Sequence, residues 1–140
     1  MRHIILRFEL ELQMLAGSVA VRDLPEAWNA ATRSYLGVDV PDDAHGVLQD
    51  THWAVGLLGY FPTYQLGNVI SIQIWERARQ ELGDLEEQFA RGEFGPLREW
   101  LREHLYGYGS TYPPRELLRR VVGADLDPEP YVAYLQAKFA

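Results

Sequence analysis

One stretch of the sequence concentrates groups able to do chemistry. Between Gly46 and Asn68 it reads GVLQDTHWAVGLLGYFPTYQLGN, which contains Gln49, Asp50, His52, Trp53, Tyr60, Tyr64 and Asn68. Four glycines in the same stretch allow tight turns and close approach of the backbone. Such a segment can line a groove with hydrogen-bonding side chains set on an apolar wall. A plainer reading stands beside this one. His52 and Asp50 can satisfy each other in a packed loop, and Trp53, Tyr60 and Phe61 can be core residues, as aromatic side chains more often are.

Metal chemistry is testable on the same residues. A catalytic zinc helix of the HExxH type places two histidines four apart on one face. The histidines here are His3, His45, His52 and His104, and no two are four apart. A site from His45, Asp50 and His52 is the one local alternative, and a lone loop histidine is usually not a ligand. No metal ligand is therefore assigned. The chain has no cysteine, which excludes disulfides, thiol catalysis and thiolate ligands.

The elements that must position this stretch read as helices. Residues 6 to 15, LRFELELQML, alternate apolar and polar in the manner of a strand. Their types favour helix, and no β-branched residue occurs between Leu6 and Ser18. We expect a helix from about Ile4 to Ala16, ended by Gly17. Asp23 and Glu26 have capping-box spacing with Pro25 in the first turn, and Leu24, Trp28, Ala31 and Tyr35 share a face up to Gly37. Val38 to Gly59 is expected to be a long loop, with a short strand around Thr51 to Val55. Pro62 opens a long helix to about Leu82, its buried side made by Val69, Ile70, Ile74, Trp75, Ala78 and Leu82. Asp84 and Glu87 repeat the capping-box spacing before a short helix ending at Gly92. Pro96 starts a helix with Leu97, Trp100, Leu101 and Leu105 on one face. Pro113 and Pro114 start another, stopped by Gly123. Asp127 is expected to cap the last, with Pro128 in its first position and Tyr131, Tyr134, Leu135 and Phe139 as its stripe. The fold class is mainly α: one domain over residues 1–140, about six helices and a long motif-bearing loop.

Composition narrows the function classes. The net charge is −7, from 13 Lys and Arg against 20 Asp and Glu, which disfavours a nucleic-acid partner. Arg115, Arg119 and Arg120 form the densest basic run, read as the solvated face of a helix. No apolar run approaches membrane-spanning length, and the start lacks the pattern of a signal peptide, so a cytoplasmic location is expected. Four Trp, eight Tyr and five Phe in 140 residues argue for a packed core.

The strings GVLQDTHW (46–53) and GYFPTYQLGN (59–68) closely resemble two motifs of the carboxypeptidase Taq family, in that family's order and spacing. LRFELE (6–11) and DLPEAWN (23–29) are similar to it as well, as are Glu116-Leu117-Leu118 and the closing Tyr134-Leu135. The resemblance covers nearly the whole chain and matches the C-terminal portion of much longer proteins. It implies a helical fold and the substrate side of a groove. Arg7 would be the partner of a peptide's terminal carboxylate, through paired charge-assisted hydrogen bonds. His52, Tyr60 and Tyr64 would contact substrate or polarise a carbonyl. The alternative for Arg7 is an ion pair with Glu11 at i+4.

The resemblance also implies that zinc belongs to the full-length proteins, held by the two His of an HExxH helix and a later Glu, all upstream of Met1. No cofactor is expected in this chain. Two positions depart from the family pattern: Ala54 stands where Ser is usual after the HW pair, and Tyr106-Gly107-Tyr108-Gly109 where a His-x-His-Gly string is common. The expected function is a C-terminal substrate-groove module without the zinc motif, inactive alone. The alternatives are one piece of a split zinc carboxypeptidase whose catalytic half is a separate chain, and a non-enzymatic protein for peptide binding or assembly. Ile4, Ile5, Leu6, Phe8, Leu10, Leu12, Met14 and Leu15 surround the first helix on most sides, which points to a homodimer.

Overall fold

Residue type decides the ambiguous N-terminal stretch in favour of helix. In the computed structural model, which describes all 140 residues, α1 spans Arg2–Leu15. A strand would have put Leu6, Phe8, Leu10 and Leu12 on one face. The helix separates them: Leu6 and Leu10 are buried, whereas Phe8 and Leu12 are 38% and 49% exposed. Eight α-helices and four 3-10 turns make up the regular structure, and no strand occurs.

The chain forms two compact units, Met1–Leu66 and Gly67–Ala140. In the first, α1 packs against α2, Leu24–Leu36, around Leu6, Leu10, Leu24, Trp28 and Val47. Met14, Val19, Ala27, Ala31, Tyr35, Val40 and Trp53 close over this core. The expected capping box at Asp23 is not formed. A 3-10 turn, Val21–Asp23, feeds straight into α2, so Asp23 has near-helical angles (φ −97°, ψ 0°) and its side chain caps nothing.

The segment expected to be a long loop is built from short helical turns. Two 3-10 turns, Asp43–His45 and Val47–Gln49, precede α3, Thr51–Ala54. The short strand expected around Thr51 to Val55 is absent and α3 takes its place. Val55 N–H donates to Thr51 O at 3.2 Å and Leu57 N–H to His52 O at 2.9 Å, so these backbone groups are satisfied within the turn. The β-branched residues lie only at its edges. Gly46 permits the close packing here, since a Cβ at that position would meet Val40 Cγ1 at 2.6 Å and Asp42 O at 3.2 Å.

α4, Phe61–Leu82, begins in the first unit and continues into the second. The second unit adds α5 (Leu85–Ala90), α6 (Gly95–His104), α7 (Pro114–Val122) and α8 (Glu129–Phe139). Its core is Ala78, Leu85, Trp100 and Val121, flanked by Ile74, Trp75, Leu82, Phe89, Leu97, Leu101, Leu105, Leu117 and Val122. Here the cap at Asp84 does form: its carboxylate accepts from Glu87 N–H at 3.0 Å. α8 starts one residue later than expected. Pro128 is its cap residue, and Asp127 accepts from Glu129 N–H at 3.0 Å. The expected α8 stripe is only partly covered, with Tyr134 41% and Phe139 75% exposed. No helix is long and apolar enough to cross a membrane.

Candidate functional site

The polar groups of residues 46–66 come together with α1 through two buried carboxylates. Asp50 immediately precedes α3 and its side chain is 3% exposed. Its Oδ1 faces His52 Nδ1 at 2.8 Å, and its Oδ2 accepts from Arg7 Nε. Arg7 also donates through Nη1 to His3 O at 2.9 Å. Its guanidinium lies 5.1 Å from the Trp28 ring centre and 5.7 Å from that of Phe61, within cation–π range. His3 lies beside this cluster, and burial holds its imidazole below the ordinary value, with the N-terminal ammonium and Arg7 acting in the same sense.

The ion pair considered for Arg7 with Glu11 is not the one that forms. Asp50 is buried, and a buried carboxylate needs a partner. Glu11 points elsewhere. It is 2% exposed, its Oε2 accepts from Trp53 Nε1 at 2.8 Å, and its Oε1 accepts from Gly59 N–H at 2.6 Å. Sequence reasoning considered Glu11 only as a partner for Arg7. The available signal was its place one residue after Leu10 on the covered face of α1, where a charge requires partners.

Three rings form the outer surface of this cluster. His52 stacks on Tyr60 with ring centres 5.5 Å apart and planes 23° apart. Tyr60 meets Tyr64, one helical turn along α4, edge to face at 5.1 Å. The Tyr60 hydroxyl is the first cause that pushes the Tyr64 phenol above its ordinary value. Tyr60 and Tyr64 are 37% and 44% exposed. Beneath them Phe61 is 1% exposed and touches both His52, at 4.9 Å, and Trp53, at 5.6 Å. Gln49 does not join the group. Its Nε2 donates to Ala44 O at 2.5 Å, holding the preceding turn. His45 is also apart, with Nδ1 2.7 Å from Asp42 Oδ1.

A profile of the carboxypeptidase Taq (M32) metallopeptidases matches residues 1–139. The chain belongs to this family. Thermostable carboxypeptidase 1 of Thermus thermophilus is 49% identical over 138 residues, which are 99% of this chain and 27% of that protein. Carboxypeptidase 1 of Bacillus subtilis is 36% identical over 99% of this chain and 28% of its own length. The crystal structure of the M32 carboxypeptidase from Deinococcus radiodurans superposes with a TM-score of 0.91 at 46% identity, over 98% of this chain and 28% of that one. The chain therefore spans little more than a quarter of the relatives it matches.

The carboxypeptidase Taq chemistry uses zinc, which needs three protein ligands and an open position. The residues present do not provide such a set. No three His, Asp or Glu side chains converge as a metal site. His45, Asp50 and His52, the local alternative, are divided between two separate pairs. Tyr106 to Gly109, where this chain departs from the family pattern, contains a 3-10 turn, Tyr106–Tyr108, in the second unit, and Tyr108 packs on Tyr112 at 5.5 Å.

Proposed function

We propose that this chain supplies the substrate-groove part of a carboxypeptidase Taq-type metallopeptidase, holding the C-terminal end of a peptide. The observation that carries the reading is the row His52, Tyr60 and Tyr64, with His52 part-buried and the two tyrosines exposed, on a base fixed by Asp50 and Arg7. Arg7 has Nε and Nη1 engaged, so its Nη2 edge is what it offers to a terminal carboxylate. The paired charges of that contact would be strong in so dry a setting. Hydrolysis requires zinc-bearing residues from outside these 140, in the same or a separate polypeptide.

The test is calorimetric titration with a blocked tripeptide bearing a free C-terminal carboxylate, against the same peptide amidated. Binding of the acid alone, weakened by Arg7→Ala and Tyr64→Phe, is the expected result. Equal binding of both peptides, or of neither, removes the groove reading. We expect no release of C-terminal residues by the 140-residue chain, because a ligand set and a positioned base are absent from it. Zinc-dependent release by this chain would overturn that.

A second reading concerns assembly and rests on α1. Ile5, Phe8, Leu12 and Leu15 are 37–62% exposed, and Ile4, Ile5 and Phe8 with Pro62 and Leu66 line a shallow apolar groove. Water-exposed apolar surface costs about 25 cal/mol per Å², so covering such a face favours association. A symmetric homodimer through this face is proposed. Light scattering across dilution should show a dimer that Phe8→Glu dissociates, and a monomer at high concentration would sink it.

A further inference from the structure

We infer that Glu11 is a positioning residue for the His52–Tyr60 pair. The two hydrogen bonds it accepts come from the chain neighbours of the two stacked rings: Trp53 adjoins His52, and Gly59 adjoins Tyr60. One carboxylate thus fixes the separation of the two backbone segments that carry the stack. Gly59 has φ +74°, a left-handed conformation, which turns the chain at this point. The Trp53 indole lies against Trp28 and Phe61 and is held from its nitrogen by Glu11. From the other side Asp50 holds His52 Nδ1, which leaves Nε2 as the ring nitrogen that Asp50 does not hold.

A carboxylate suits this task better than an amide. Two donors approach from separate segments, and only a carboxylate offers an acceptor oxygen to each. Glutamine would satisfy one and set its own NH₂ against the other. Glu11 is also 2% exposed and faces no cation within salt-bridge distance, an arrangement costly to keep unless both of its oxygens are used.

This role rests on the groove reading for its purpose, and its test is separable from that reading. Glu11→Gln should leave the far-UV spectrum native while the ring resonances of His52 and Tyr60 move in the free protein. Affinity for the acid tripeptide should fall about tenfold as the ring pair loses its fixed position. Trp53→Phe in the Glu11→Gln background removes the second donor, so one amide oxygen then suffices for Gly59. The rings should return toward their native resonances. If Glu11→Gln fails to fold, Trp53→Phe alone breaks one arm and should move His52 more than Tyr60. Rings unmoved in a folded Glu11→Gln protein, or no recovery in the double variant, would overturn the inference. If the wild type binds no peptide but the rings respond as described, the groove reading falls and the positioning role stands.

Discussion

The two units solve the same problem of helix packing with charges in opposite places. Met1–Leu66 buries Glu11 and Asp50, and three of their four bonds, to Trp53, Arg7 and Gly59, join residues 42, 43 and 48 positions apart. In Gly67–Ala140 the buried polar residue is the uncharged Gln73, which donates to Asp125 O at 2.9 Å and accepts from Asp127 N–H at 3.2 Å. The ion pairs of that unit are exposed and mostly local, such as Arg120–Glu116 at 2.8 Å and Arg102–Glu99 at 2.7 Å. Buried charge is a poor way to gain stability, because desolvation offsets much of the attraction. It does fix geometry. The difference separates a unit that holds specific side chains in place from one held by its apolar faces.

The sharpest way to break this comparison is Asp50→Ala. It strands the Arg7 guanidinium and His52 Nδ1 in a mostly dry site, and should cost about 4 kcal/mol in urea unfolding. A loss under about 1 kcal/mol would mean that water enters and the buried pair is no different from a surface one. Leu85→Ala, at a fully covered position of the second unit, should cost about 3 kcal/mol through the cavity it leaves. It should leave the His52 and Tyr60 ring resonances unmoved, and a shift in them would undo the division of roles.

A smaller effect depends on pH. Glu81 accepts from Trp100 Nε1 at 2.5 Å, and that contact is the first cause holding its carboxyl below the ordinary 4.5. A depressed carboxyl contributes stability above its unfolded value and loses it as pH falls through the folded one. The gap between wild type and Trp100→Phe in thermal melts should therefore narrow below pH 4.5. A gap independent of pH would leave only the packing of the indole. Smallest of all, Arg119→Ala should be invisible in the melt, since its pair with Asp125 at 2.7 Å lies in water. Tyr64→Phe should also leave the melt nearly unchanged, because that side chain is 44% exposed.

Most of the fold was legible because it is written in local terms. Leu97, Trp100, Leu101 and Leu105 recur at helical spacing, and Asp84 sits three residues before Glu87. The failures were nonlocal or very short. α3 has four residues, too few to show a period, and Thr51 with Val55 just beyond it mimics a strand. Asp23 has the spacing of a cap but is absorbed by the 3-10 turn before it. Arg7 and Glu11 look like an i,i+4 surface pair, and only the packed structure shows that each reaches more than forty residues away. The proposal of His52, Tyr60 and Tyr64 as substrate contacts came from the resemblance, since residue type alone favoured core packing for such rings.

The hydrogen bond from Gly59 N–H to Glu11 also has a meaning in time. It closes a loop of 48 residues, and the entropy of closure, which rises only slowly with length, must be met before this contact contributes. The cap from Glu87 N–H to Asp84 closes over three. We expect the pocket of carboxylates to assemble later in folding than such local caps. Gly59 carries one amide proton whose exchange with deuterium can occur only when that pocket comes apart. A single proton thus serves as a clock for how often the ring pair loses its support.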